Sequence, residues 1–251
     1  MSYSVKYEDI GLKDFKEVWD YQTKIFNRMV EEKKSAFQSS EKVSLVSPGT
    51  LIFVEHPHVY TLGKNGSENN LLLNYIQLQA KNASFYRIDR GGDITYHGPG
   101  QIVGYPIFDI EAIGTNLKGY IHGLEEAVIR TLAFFGIKGE RLEGATGVWL
   151  DSSMREKSRK ICAIGVRASR YISMHGFAFN VNTQLEYFNY INPCGFTDRG
   201  VTSLEKELGT VGESQGGQVG VMVALQKALQ LRFPSAWESF KPTRARKAVT
   251  T

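Results

Sequence analysis

Three stretches of helical periodicity, set apart by groups of strand-like segments, constrain the fold of this 251-residue chain more than any other feature. Apolar side chains recur at helical spacing over residues 13–31, 121–135 and 219–233. Gly136 and Pro234 follow the second and third stretches, as expected where helices end. Because the strand-like segments come in groups rather than singly between helices, the pattern predicts an α+β fold. We expect a mixed, largely antiparallel sheet flanked by helices.

The strand predictions rest on short apolar or alternating runs bounded by turn-forming residues. They cover residues 50–55, 85–89, 101–110, 146–150, 160–168 and 171–181, with a Ser47-Pro48-Gly49 turn before the first. The sequence contains no internal repeat and no low-complexity linker. We therefore expect a single domain over residues 1–251.

Composition indicates a globular protein and gives no sign of a membrane or nucleic-acid partner. Hydrophobic residues make up 42% of the chain and charged residues 22%, with a formal net charge of +4. The apolar runs are far too short to span a membrane, and the N-terminus lacks the features of a signal peptide. The basic tail at about 241–251 is interpreted as a solvated C-terminus, and no nucleic-acid-binding motif is present. We expect a cytoplasmic protein.

The two cysteines lie in opposite kinds of surroundings. Cys194 is flanked by Asn192, Pro193 and Gly195, which predicts a turn that presents its side chain. Cys162 lies in an apolar run typical of a buried strand. Exposed thiols near positive charge become thiolate nucleophiles, whereas buried thiols in apolar surroundings are inert. Cys194 is therefore the candidate nucleophile.

Two further features leave alternatives open. The glycine-rich segment at 90–100 is either a tight hairpin or a ligand-binding loop, and it matches no phosphate-binding motif. Lys160 is either a strand-edge lysine that reaches solvent or the partner of a thiolate. The His56-Pro57-His58 run has no third ligand spaced nearby, so no metal is predicted there. His122 and His175 are interpreted as packing or surface histidines.

Several motifs together resemble the octanoyltransferases of lipoate biosynthesis, in the order of that family. They are EHP at 55–57, YTLG at 60–63, RGGDITYHGPGQ at 90–101, KICAIG at 160–165, HGFAFN at 175–180, NPCG at 192–195 and VTSL at 201–204. The matches span residues from about 50 to 208. The combination is highly specific, whereas no single piece of it would be.

The resemblance implies the fold of the biotin and lipoate protein ligases. It implies transfer of an octanoyl group from octanoyl-acyl carrier protein to a lysine of lipoyl domains, those of 2-oxoacid dehydrogenases and the glycine cleavage H protein, without a cofactor or metal. Cys194 aligns with the acyl-thioester nucleophile and Lys160 with the lysine that activates it. The segments that line the acyl pocket align with Arg90, Gly91, Gly92, Asp93, Ile94, Thr95, Tyr96 and His97, with Ala163, Ile164 and Gly165, and with Gly176, Phe177 and Ala178.

Three other functions are alternatives to this one. An ATP-dependent lipoate or biotin protein ligase would share the fold and the lysine but would not need Cys194 as a nucleophile. A non-catalytic acyl-binding module would bind its ligand without turnover or a covalent adduct. A papain-like hydrolase is disfavoured because its local cysteine signature and residue order are absent.

Overall fold

A computed structural model describes residues 5–38, 49–192, 199–209 and 217–233. Cys194, the Ser47-Pro48 part of the predicted turn, Pro234 and the basic tail lie outside the described residues. None of the helices in the described ranges combines the length and the apolar character that crossing a membrane requires.

The strands form one large sheet and one small sheet. Their bounds are β1 (Lys6–Leu12), β2 (Gly49–Glu55), β3 (Val59–Leu62), β4 (Ser84–Arg87), β5 (Ile94–His97), β6 (Gln101–Phe108), β7 (Glu140–Leu142), β8 (Ala145–Leu150), β9 (Arg159–Ser169), β10 (Ile172–Asn180) and β11 (Gly200–Val201). The large sheet has the order β1-β2-β6-β10-β9-β8-β7, with β11 paired to β9, and the small sheet has the order β4-β3-β5. Most pairs are antiparallel, while β1 with β2, β3 with β4 and β9 with β11 are parallel. The predicted mixed, largely antiparallel sheet is confirmed.

The helices are α1 (Phe15–Gln38), α2 (Tyr75–Ala80), α3 (Leu117–Phe134), α4 (Leu204–Leu208) and α5 (Gly217–Arg232). Helices α3 and α5 contribute Leu124 and Leu225 to a core cluster that also contains Phe177 of the large sheet. Helix α1 contributes Phe26 to a second cluster, with Ala178 of the neighbouring strand position. Because successive strand residues face opposite sides, the large sheet is covered by helices on both faces.

The three predicted helices are confirmed, although α1 continues to Gln38 instead of ending at residue 31. Its last turns are rich in glutamate and lysine, good helix formers that carry no apolar periodicity. The strand predicted over 101–110 ends at Phe108, because the Asp109 side chain accepts hydrogen bonds from the turn amides of Glu111 and Ala112.

Several short strands were not predicted from the sequence. Strand β1 contains too many polar residues to show an apolar alternation, and β3, with four residues, is too short to show one. Strand β5 lies within the glycine-rich segment and pairs with β3, whereas β6, which follows it, belongs to the large sheet. The segment thus carries the chain from one sheet to the other. Gly100 turns it with a φ of 81°, in the left-handed region.

Candidate functional site

A cavity of about 480 Å³ lies against the large sheet, with the glycine-rich segment forming one of its walls. Strands β6, β9 and β10 contribute to its lining, together with parts of β8 and β11. Of the residues predicted for an acyl pocket, the structure places thirteen in this lining: Arg90, Gly91, Gly92, Asp93, Ile94, Thr95, His97, Ala163, Ile164, Gly165, Gly176, Phe177 and Ala178. Segments far apart in sequence therefore meet around one space.

Small residues form the part of the lining that belongs to the sheet. Gly165 is paired with Gly176 and Ala163 with Ala178 across β9 and β10. Ala178 is paired in turn with Val103 of β6. Side chains of directly paired residues share one face of a sheet, so these positions form a low floor that leaves room for a ligand.

Gly165 lets the glycine-rich segment lie directly on this floor. The backbone N–H of Gly91 donates to the Val166 carbonyl at 2.9 Å. A Cβ at position 165 would lie only 2.9 Å from the Gly91 carbonyl oxygen and 3.1 Å from Cδ of Arg90. The close approach of the two backbones therefore requires glycine here.

Arg90 ties the segment to the small sheet. Its side chain is buried, and Nη2 donates to the Thr61 carbonyl at 2.7 Å and to the Thr61 hydroxyl at 3.0 Å. Nη1 donates to the Gly91 carbonyl at 3.1 Å. Two backbone hydrogen bonds also attach the segment, from the Gly63 N–H to the Asp93 carbonyl and from the Lys64 N–H to the Arg90 carbonyl. The guanidinium thus holds the loop while it lines the cavity.

Asp89 anchors the start of the same segment to the large sheet. His175 Nε2 donates to one of its carboxylate oxygens at 3.0 Å, and Arg167 contacts the other. The hydrogen bond from His175 and the nearby Arg167 charge lower the pKa of Asp89. His175 is buried, and its backbone has a φ of 62°, unusual for a residue other than glycine. Its interpretation as a packing histidine holds, with the added role of fixing the segment.

A chain of hydrogen bonds runs along the cavity lining from His97 of β5 to the Thr202 carbonyl, just after β11. The Gln101 amide nitrogen donates to Asn180 Oδ1 at 2.9 Å, and the Asn180 amide donates to the Thr202 carbonyl at 3.0 Å. The Gln101 oxygen is therefore the acceptor in its 2.8 Å contact with His97 Nδ1, which assigns the His97 proton to that nitrogen. Burial lowers the pKa of His97 to about 3, so the ring is neutral near pH 7.

Tyr96 is placed differently from the other residues predicted for the pocket, because it does not contribute to the cavity lining. It is fully buried, its hydroxyl lies 2.7 Å from His58 Nδ1, and its ring stacks on Tyr187. His56, the other histidine of the 56–58 run, contacts the Lys13 carbonyl and the Tyr105 hydroxyl through its two ring nitrogens. Three of the four ring nitrogens of that run thus bond to protein groups.

Lys160 lies at the opposite side of the cavity from the small sheet, on β9 between β8 and β11. Its Nζ donates to the Thr146 carbonyl at 3.2 Å and lies 4.6 Å from the centre of the Trp149 ring. The guanidinium of Arg199 lies 5.7 Å from the same ring. Both cations line the cavity, which favours a functional amine over a lysine that merely reaches solvent.

The prediction that Cys162 is buried in a strand is confirmed. It is fully buried on β9 in the core cluster under α3 and α5, and burial raises the pKa of its thiol. A thiol in this state carries little thiolate and is a poor nucleophile.

Sequence reasoning missed a second group of lining residues. These include Phe15, Ile88, Val103, Tyr105, Trp149, Asn180 and Arg199. Asn180 was part of a recognised motif, but the others look like ordinary core or surface residues in the sequence. Only the arrangement of α1, β6, β8, β10 and the chain segments next to β4 and β11 around the cavity brings them to it.

The buried histidines predict a loss of stability in acid. The pKa of His56 is lowered to about 4 and that of His97 to about 3, both by burial, from an ordinary value of 6.5. As the pH falls below 6.5, the unfolded chain binds protons that the folded protein does not. Stability is therefore complete above pH 6.5 and declines toward pH 4, by up to about 1.4 kcal/mol per pH unit for each histidine.

Urea unfolding at pH 7, 6 and 5 would measure this slope. His56→Gln, whose amide can keep both contacts, should reduce the slope by about one proton. His122→Gln, at an exposed position on α3, should leave it unchanged. An equal slope in His56→Gln and the wild type would contradict the assignment.

Comparison with known proteins places the chain in a family. The catalytic-domain model of lipoyl protein ligases A and B matches residues 14–219. Octanoyltransferases of Cytophaga hutchinsonii and Flavobacterium johnsoniae are each 54% identical, over 208 and 209 residues. The chain belongs to the octanoyltransferase family. The alignments cover 82% and 83% of this chain, and 85% and 89% of those two octanoyltransferases.

Solved structures support the fold of this octanoyltransferase-family chain. The bipartite lipoate protein ligase of Thermoplasma acidophilum superposes with a TM-score of 0.63, over 92% of this chain and 84% of that one, at 14% identity. P. falciparum LipL1 in complex with lipoate gives a TM-score of 0.66, over 95% and 65%, at 11% identity. At these identities the likeness concerns the fold alone, and it confirms the predicted α+β fold of the protein-ligase type.

Proposed function

We propose that this protein transfers an octanoyl group from octanoyl-acyl carrier protein to a specific lysine of lipoyl domains, the first step of endogenous protein lipoylation. The observation that carries the proposal is the cavity itself. It combines a floor of small residues with Lys160 at one side, and the motifs that resemble the octanoyltransferases surround it. The acceptors would be the lipoyl domains of 2-oxoacid dehydrogenases and the glycine cleavage H protein.

The reaction needs no ATP. The donor is already a thioester, so exchange of the acyl group onto another thiol is nearly isoenergetic, and formation of the final amide is downhill. Two half-reactions then divide the transfer, with an acyl-enzyme between them. We assign the nucleophile to Cys194, which lies outside the described residues.

In the first half-reaction the Cys194 thiolate attacks the carbonyl carbon of the donor thioester while Lys160 is an ammonium. The tetrahedral intermediate collapses, the carbon–sulfur bond to the carrier breaks, and the departing sulfur takes a proton from Lys160. The products are an octanoyl-Cys194 thioester, a neutral Lys160 amine and the carrier thiol. The described contacts of Lys160 with Thr146 and Trp149 support this role, since they hold the amine at the cavity.

In the second half-reaction the amine of the lipoyl-domain lysine attacks the octanoyl-Cys194 carbonyl. Lys160 accepts the proton that the attacking nitrogen loses, and Cys194 leaves as a thiolate. The amide product departs and the starting ammonium–thiolate pair is restored. One side chain thus acts first as an acid and then as a base.

The surroundings suit this chemistry. Backbone amides near Gly98 or Gly165 are candidates to polarise the acyl carbonyl. The neutral His97 ring donates its one N–H to Gln101, so its other ring nitrogen is an acceptor and does not serve that role. Tyr96, predicted to line the pocket, is absent from the cavity lining and bonds to His58 instead.

We expect an octanoyl adduct on Cys194 when the protein is mixed with octanoyl-acyl carrier protein and quenched rapidly. Intact-mass analysis followed by peptide mapping would locate the added group. Cys194→Ala should form no adduct and show no turnover. Cys162→Ala, the matched control, should keep turnover within about tenfold of the wild type, or 1.4 kcal/mol of barrier, because the buried thiol acts as a small apolar group.

An adduct mapped to Cys162, or none in the wild type under rapid quench, would overturn the proposed mechanism. Free octanoate with ATP should produce no octanoylated lipoyl domain. Transfer from that mixture would instead identify an ATP-dependent ligase.

A further inference from the structure

Phe15 is a residue of the cavity wall that carries no motif. It is the first residue of α1, and its side chain is buried and lines the cavity. Phe26, on the same helix, is equally buried but packs in the cluster between α1 and the large sheet. The helix therefore sends one aromatic ring into the cavity wall and another into the core.

The ring of Phe15 is held in place by other rings. Its centroid lies 5.5 Å from that of Tyr86 in a stacked arrangement and 5.3 Å from that of His56, edge to face. It also lies 6.1 Å from the His97 ring, nearly parallel to it. His56 is itself fixed by a 2.8 Å contact with the hydroxyl of Tyr105. A ring packed on several sides cannot swing away to admit a longer ligand.

This wall lies on the far side of the cavity from Lys160. Lys160 belongs to β9, whereas Tyr105 belongs to β6, and β10 separates the two strands. Two strand spacings correspond to roughly 10 Å across the sheet. Because Gly104 pairs with Phe177 and Phe177 with Ile164, Tyr105 is also offset from Lys160 along the strands by about five residues, roughly 16 Å. Between them run the small floor residues Ala163, Ala178 and the paired glycines. A chain that starts beside Lys160 and crosses the floor diagonally therefore runs toward Phe15, which packs with Ile88 in the lining.

We propose that Phe15 is the residue that limits the length of the acyl chain this protein accepts. The inference rests on the proposed function, because it takes the cavity to hold the acyl group with its carbonyl near Lys160. The terminal methyl group of an eight-carbon chain contacts the Phe15 ring, and longer chains are excluded by it. Shortening the side chain lengthens the cavity at its closed end.

The test compares acylation by octanoyl-, decanoyl- and dodecanoyl-acyl carrier protein in Phe15→Ala and the milder Phe15→Leu. The ratio of kcat/KM for decanoyl to that for octanoyl should rise about tenfold or more in Phe15→Ala, and by less in Phe15→Leu. One methylene in an apolar pocket typically changes specificity by about 10–200-fold. Phe26→Ala is the matched control, since it removes an equally buried ring from the same helix. It should leave the ratio unchanged.

The ratio separates a specificity role from a structural one, because a general loss of stability lowers all rates together. Unchanged ratios in both Phe15 variants, or an equal change in Phe26→Ala, would overturn the proposal. If Phe15→Ala does not fold, Phe15→Leu decides alone. A wild type that accepts no acyl group from any of the three carriers would instead refute the proposed function.

Discussion

Replacing Lys160 with methionine is expected to slow both half-reactions by about 10²–10⁴-fold, the usual range for removing a general acid or base. Methionine keeps much of the side-chain length and its packing on Trp149, but it has no amine to donate to Thr146 or to carry a proton. Acylation loses the acid that protonates the departing sulfur. Transfer loses the base that accepts the proton of the attacking lysine.

Single-turnover measurements of each half-reaction would show the two losses separately. Alkylation of Cys194 near neutral pH should also slow, because less thiolate is present without the ammonium. The assay is cleanest in a Cys162→Ala background, where Cys194 is the one cysteine left of the two in the chain.

Lys138→Met serves as the control, since Lys138 is an exposed lysine paired with Glu140 away from the cavity. It should keep normal rates, and circular dichroism should show that both variants are folded. Near-normal rates in both half-reactions of Lys160→Met, with unchanged alkylation, would remove Lys160 from the mechanism.

Replacing Gly165 with valine is expected to lower kcat/KM for acylation by about 10²-fold or more, the cost of displacing binding groups by about 1 Å. The added Cβ would lie 2.9 Å from the Gly91 carbonyl oxygen, so the glycine-rich segment must move off the sheet. The hydrogen bond from Gly91 to Val166 is then lost, and Arg90 shifts with the segment. The wall of the cavity is displaced while the sheet itself remains paired.

Ala168→Val offers a matched control on the same strand. Ala168 is exposed on β9 and does not line the cavity, so added methyl groups there meet no backbone of the segment. It should acylate at nearly the wild-type rate. Thermal unfolding of both variants would show that Gly165→Val remains folded. Normal acylation by a folded Gly165→Val would mean that the segment does not form the binding wall.

Local patterns allowed much of the fold to be predicted. The amphipathic helices and the long strands β6, β9 and β10 were found because apolar periodicity depends on neighbouring residues alone. Strands β3 and β5 were missed because four residues give too short a pattern, and β5 is masked by surrounding glycines. The long polar end of α1 was missed because an exposed helical turn has no apolar signal.

The sequence by itself determined the family and the residues that gather around the cavity. The motifs at 90–101, 160–165 and 175–180 gave the predicted pocket residues through their resemblance to the octanoyltransferases, whereas the residues alone left the glycine-rich segment and Lys160 open. The residues that flank the two cysteines also distinguished the buried Cys162 from the candidate nucleophile Cys194. Cys194 lies outside the described residues, so its role stays a prediction.

Only the tertiary structure decided what surrounds those residues. The pairing of β6, β10 and β9 brings Val103, Ala178 and Ala163 into one floor, and it depends on contacts between positions far apart in the chain. The placement of Phe15 against the cavity depends on how α1 packs on the sheets. The neutral state of His97 depends on the burial of its ring in the folded protein. Burial and long-range pairing belong to the folded chain as a whole, so no local pattern of residues contains them.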